Sequence, residues 1–104
     1  MINERSGDIN IYLARLKNLI LSSLEGEPVK IIIFGSRARK DNHRSSDVDV
    51  GLIPYGKLNR GKITALKEKI EDLNIPYKVE IVDFSQVSDA FKKEALKEVV
   101  VWKD

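Results

Sequence analysis

Apolar and polar positions follow three different rhythms along this chain, and each predicts a different element. Ile9, Tyr12, Leu13, Leu16, Ile20 and Leu24 recur at three- and four-residue spacing, the period of a helix packed on one side. Asp8 is a candidate cap for its start, and Gly26 and Pro28 mark its end. Leu19 and Leu21, at the margin of that stripe, read as satellite core contacts or as a partner surface. Val29 to Phe34 is nearly continuous apolar sequence closed by Gly35-Ser36, the mark of a buried strand running into a tight turn. From Asp47 to Ile53 carboxylate and valine alternate and then give way to apolar residues, which predicts a second strand broken by Pro54-Tyr55-Gly56.

The helical period returns at Ile63, Leu66, Ile70 and Leu73, and Asn74 and Pro76 stop it. Tyr77 to Phe84 reads as a third strand. Ser85 or Ser88 opens a last helix whose apolar side holds Val87, Phe91, Ala95 and Leu96. The β-branched and aromatic run Val99 to Trp102 predicts an extended tail rather than more helix. Strands and helices in this alternation predict an α/β domain. The second strand, the helix after it and the third strand form a right-handed parallel crossover. At 104 residues the whole of 1–104 reads as a single domain.

The chemistry lies where the first two strands meet. Asp47 and Asp49 are two apart in a strand, so they face the same way with α-carbons roughly 6–7 Å apart. Two carboxylates converging to about 4 Å repel by about 4 kcal/mol at an effective dielectric near 20. A proton or a cation between them relieves that cost. Magnesium favours oxygen ligands and binds one or two carboxylates together with substrate phosphates. Gly35 allows close approach to the backbone, and Ser36 supplies a hydroxyl and, if it opens a helix, N–H groups for an anion. Together they predict magnesium-assisted chemistry on a nucleoside triphosphate.

Gly35-Ser36, ten residues and then Asp47-x-Asp49 resemble the signature of the DNA polymerase β-type nucleotidyltransferases. The longer strings, Phe34-Gly35-Ser36-Arg37-Ala38-Arg39 and Ser46-Asp47-Val48-Asp49-Val50, are most similar to the minimal nucleotidyltransferases. These include the antitoxins paired with HEPN-domain toxins. The resemblance implies a polymerase β palm-like fold: a small mixed three-stranded sheet in the order 1-2-3, flanked by helices. It places a third metal-holding acid on the third strand, at Glu80, where the family usually has Asp. Glu80 is also open to a simpler use as an edge-strand acid facing solvent. The implied site has Asp47, Asp49 and Glu80 as catalytic residues and ligands of two magnesium ions. Gly35, Ser36, Arg37 and Arg39 would bind nucleotide, although the two arginines could equally hold the loop through its carbonyls. Lys40 stands where relatives often carry Gly, which leaves the loop's shape open.

Arg37, Arg39, Lys40, His43 and Arg44 form the densest basic cluster of the chain. Such a run is ordinarily solvated surface. Here it leaves the phosphate turn directly, which favours steering of a triphosphate or an acidic partner. His43 is the sole histidine and cysteine is absent, which excludes disulfides and zinc held by thiolates. The cysteine-free composition fits a cytoplasmic location. No apolar run approaches the ~20 residues of a membrane span, and no signal-peptide pattern opens the chain. With 18 basic and 16 acidic residues, a net charge of +2 does not call for direct nucleic-acid binding.

The resemblance therefore implies transfer of AMP from ATP to a tyrosine of a partner HEPN ribonuclease toxin, with release of pyrophosphate. Two other readings stand beside it. One is a catalytically weak or inactive antitoxin that acts as a toxin-binding module. The other is a nucleotidyltransferase acting on a small molecule such as an aminoglycoside, or on RNA.

Overall fold

The computed structural model describes residues 4–35 and 47–104. Helix α1 spans Glu4–Ser23, strand β1 Val29–Phe34, strand β2 Val48–Pro54 and helix α2 Arg60–Asp72. Strand β3 spans Val79–Asp83, a 3₁₀ turn Phe84–Gln86, helix α3 Asp89–Ala95 and strand β4 Val100–Lys103. The four strands form one mixed sheet in the order β3-β2-β1-β4. β1 runs antiparallel to both β2 and β4, whereas β2 and β3 are parallel and joined through α2.

The mixed sheet flanked by helices is the expected architecture, with one strand more than expected. The run after Val99 is not a loose tail: it pairs with β1 from Ile31↔Lys103 to Ile33↔Val100, with a bulge between Ile31 and Ile32. Without β4, a central and strongly apolar strand would present its unpaired backbone groups to solvent. The end of β4 is also tied down. Lys103 Nζ donates to the carbonyls of Val29 at 2.9 Å and Glu27 at 3.4 Å, and lies over the Tyr55 ring.

The first helix also begins earlier than its candidate cap, so that Asp8 lies inside α1. Glu4 and Arg5 are good helix formers and extend the helix towards the N-terminus. Its stop agrees with the sequence: Gly26 adopts a positive φ of 83°, which residues with a β-carbon avoid. α2 is capped by Asn59, whose side chain accepts from the Lys62 N–H at 3.2 Å. Glu27 joins the two connections, accepting from the Asn59 N–H at 3.0 Å and pairing with Lys62 at 3.2 Å. The Asn59 N–H first and Lys62 second hold the Glu27 carboxyl below the usual range.

The sheet has two unlike faces. On one, Ile31, Ile33, Val48, Val50 and Leu52 pack against Leu16, Ile20 and Leu24 of the first helical segment and Ile63, Leu66 and Ile70 of α2. Leu19 and Leu21 join that cluster as its partly buried margin, so they serve the core. The other face carries a smaller cluster built on Ile32, Phe34 and Phe84. Gly51 makes this second layer possible. A β-carbon there would come within 2.7 Å of Phe84 Cε1 and 2.9 Å of Ile32 Cγ1, so the Phe84 ring lies directly on the sheet.

Candidate functional site

The strand register decides which acids meet. Phe34 is paired with Asp49 across β1 and β2, and Asp49 with Glu80 across β2 and β3. Paired residues project from the same face, so Phe34, Asp49 and Glu80 form one row at one end of the sheet. That row lies on the less covered face, opposite α1 and α2. Asp47 precedes β2 by one residue and lies two before Asp49. Asp47 and Glu80 are exposed, and Asp49 is half-buried.

Gly35, at the end of β1, adopts a φ of 79°. A β-carbon built there would collide with Asp49 Oδ2. The glycine is therefore required twice, by its left-handed backbone and by the carboxylate that occupies the space of a side chain. Asp49 lies against Gly35 on the side where a side chain would project. Ser36, Arg37, Arg39, Lys40, His43 and Arg44 lie outside the described residues.

Asp83 is separate from this row. It pairs with Leu52 and projects to the helical face, where it forms an ion pair with Arg60 of α2. It also accepts from the Ser85 N–H at 2.8 Å and the Ser85 hydroxyl at 2.7 Å. Burial by itself pushes this carboxyl up. The hydrogen bonds from Ser85 and Arg60, with the charge of Arg60, outweigh burial and hold it below the usual carboxylate range. Asp83 thus fixes the chain's turn out of β3 and towards α3.

Tyr55, an exposed loop aromatic of the kind that can stack on a base, lies far from these acids. It follows β2 where Pro54 pairs with Val29, the opposite end of the sheet from Asp49, and it stands beside Lys103. Two shallow grooves of about 230 and 350 Å³ run along the exposed edge of β3 beside α2. Glu80 borders the smaller groove together with Lys67 and Glu71.

β1 and β2, antiparallel, set Gly35 against Asp49, and the parallel β3 sets Glu80 beside Asp49. The chain matches the family described as polymerase beta, nucleotidyltransferase, over residues 15–104. It belongs to that family. It is 26% identical over 72 residues to a Methanocaldococcus jannaschii protein named "Putative protein adenylyltransferase", covering 69% of this chain and 72% of the relative. A crystal structure of a toxin–antitoxin with AMP-PNP contains a chain with a TM-score of 0.62 and 21% identity, covering 83% of this chain and 71% of that one. The complex of tri-AMPylated Shewanella oneidensis HEPN toxin with MNT antitoxin gives a TM-score of 0.61 at 15% identity, covering 89% of this chain and 70% of that one. At these identities the two structures speak for the fold.

Nucleotidyltransferases of this type work with metal cofactors, and the donors here can be tested for fit. Asp47, Asp49 and Glu80 offer only carboxylate oxygens, the chemistry magnesium takes. The register brings Asp49 and Glu80 side by side, and Asp47 precedes Asp49 at the strand's mouth. Among the described residues, however, no three acids, histidines or cysteines are gathered as one metal-holding group. The donor chemistry and the strand register of these acids nonetheless fit the metal. Among the described residues, no helix is long and apolar enough to cross a membrane.

Proposed function

We propose that residues 1–104 act as one domain, a magnesium-dependent adenylyltransferase of the cytoplasm that serves as the antitoxin of a HEPN-type ribonuclease toxin. It transfers AMP from ATP to a tyrosine hydroxyl of the toxin. The observation that carries this reading is the Gly35–Asp49 contact, in register with Glu80, within a chain of the polymerase β nucleotidyltransferase family. Relatives named for protein adenylyltransfer and for AMPylated toxin complexes support the substrate and the acceptor.

Asp47, Asp49 and Glu80 would hold the magnesium. Bound magnesium supplies charge neutralisation at the phosphoryl group. Gly35, Ser36, Arg37 and Arg39 seat the triphosphate. The tyrosine oxygen attacks the α-phosphorus in line, its bond to the bridging oxygen breaks, and pyrophosphate leaves. The hydroxyl proton passes to bulk water on the open side, where Glu80 is exposed. Among the described residues the two grooves are shallow and open, which favours a hydroxyl presented by another protein over an enclosed small acceptor.

One observation favours a second reading. Glu80 is longer than the family's usual Asp and is exposed. A weak or inactive enzyme that neutralises the toxin by binding alone fits those facts. Intact-mass spectrometry of the toxin after incubation with ATP, magnesium and either wild type or Asp49→Asn separates the two. The expected result is one or more added AMP masses with wild type and none with the variant. A toxin left unmodified yet inhibited equally by both forms overturns the enzymatic reading.

A further inference from the structure

The last helix leaves an aromatic ring uncovered on the acid-bearing face. Ser88 caps α3, its hydroxyl accepting from the Phe91 N–H at 3.1 Å, and the helix crosses the face that α1 and α2 do not cover. Phe91 meets Phe34 with ring centroids 6.0 Å apart at 83°, and Phe84 at 5.9 Å and 67°. Phe34 and Phe84 are buried, but Phe91 remains 42% exposed. Both of its contacts are edge-to-face rather than parallel stacks. Leu96, 39% exposed, continues the apolar strip at the end of the same helix.

Its position relative to the acids gives this ring a use. Phe34, the residue that anchors it, lies directly across from Asp49. Phe91 rests against Phe34, and Phe34 is the register partner of Asp49, so this ring stands on the acid-bearing face with one side chain between it and the Asp49 strand position. We propose that Phe91 is the base-stacking residue of this site, holding the purine of the nucleotide whose phosphates meet Asp47 and Asp49. The inference rests on the nucleotide reading above and adds to it what the phosphates cannot supply, a grip on the base. Stacking on an exposed ring also predicts tolerance between purines, because the contact reads a π face rather than hydrogen-bonding edges.

Calorimetry on the full chain in magnesium, with ATP and with inorganic tripolyphosphate, tests this. Base–aromatic stacking of ordinary strength corresponds to about a tenfold change in affinity or more. Phe91→Leu should weaken ATP by about that factor and leave tripolyphosphate unchanged, and Phe91→Trp should restore ATP binding. Leucine keeps the apolar contact with Phe34 and Phe84, so a merely structural role for Phe91 would change both ligands alike or neither. Equal affinity of wild type and Phe91→Leu for ATP overturns the stacking role, and so does a parallel loss of both ligands. If wild type binds neither ligand, the nucleotide reading falls, and the stacking role with it.

Discussion

Two glycines with nearly the same backbone offer a controlled test of how the site is built. Gly26 has a φ of 83° and Gly35 a φ of 79°. Alanine at either position pays the left-handed penalty of about 1–2 kcal/mol. Beyond that they differ. A β-carbon at Gly26 meets nothing within 4 Å, whereas at Gly35 it runs into Asp49 Oδ2, with Asp49 Cγ at 3.4 Å and Cβ at 3.6 Å behind it. Relieving that overlap requires the Asp49 carboxylate to swing away, at the roughly 1–3 kcal/mol typical of overpacking. Gly26→Ala should therefore cost about 1–2 kcal/mol, a fall in Tm of roughly 5–10 °C for a domain of this size. Gly35→Ala should cost about 2–5 kcal/mol, and it alone should abolish magnesium-dependent ATP binding. Thermal and urea unfolding give the first quantity, and calorimetry on the folded fraction gives the second. If Gly35→Ala is no less stable than Gly26→Ala and still binds ATP, the Gly35–Asp49 contact does not build the site.

Two further outcomes are expected. Asp47→Asn and Asp49→Asn should each remove the magnesium-dependent part of ATP binding, which excess chelator should also remove from wild type. Asp47→Asn should leave the Tm in metal-free buffer unchanged or slightly raised, since one of two neighbouring like charges is gone, and a large fall in Tm would mark it as structural. Asp83 and Glu27 are both held below their ordinary values of 3.8 and 4.5. The stability they contribute is present above those values and is lost as pH falls through their lower folded-state values. Urea unfolding from pH 6 to pH 3 should show that loss, and Asp83→Asn should be less stable at pH 6 and less sensitive to acid. An acid limb as steep in Asp83→Asn as in wild type would remove Asp83 from that account.

Local pattern carried most of the elements. The helical stripe from Leu16 to Leu24, the apolar run of β1, and the period of Ile63, Leu66 and Ile70 are each set by neighbours within a few residues, so sequence alone reveals them. The spacing of Asp47 and Asp49 was legible in the same local way, although β2 begins only at Val48 and Asp47 stands just before it. Pairing between distant segments is a different matter. Val100 to Lys103 becomes a strand only because β1 has a free edge to receive it, and that edge is a property of the assembled sheet. That Asp49 lies against Gly35 follows from the antiparallel register of β1 and β2, which no spacing along the chain encodes. The apolar side of the last helix was visible as Val87, Phe91, Ala95 and Leu96. Only the packing of Phe84 over Gly51 and against Phe91 decided how far each of those side chains is covered.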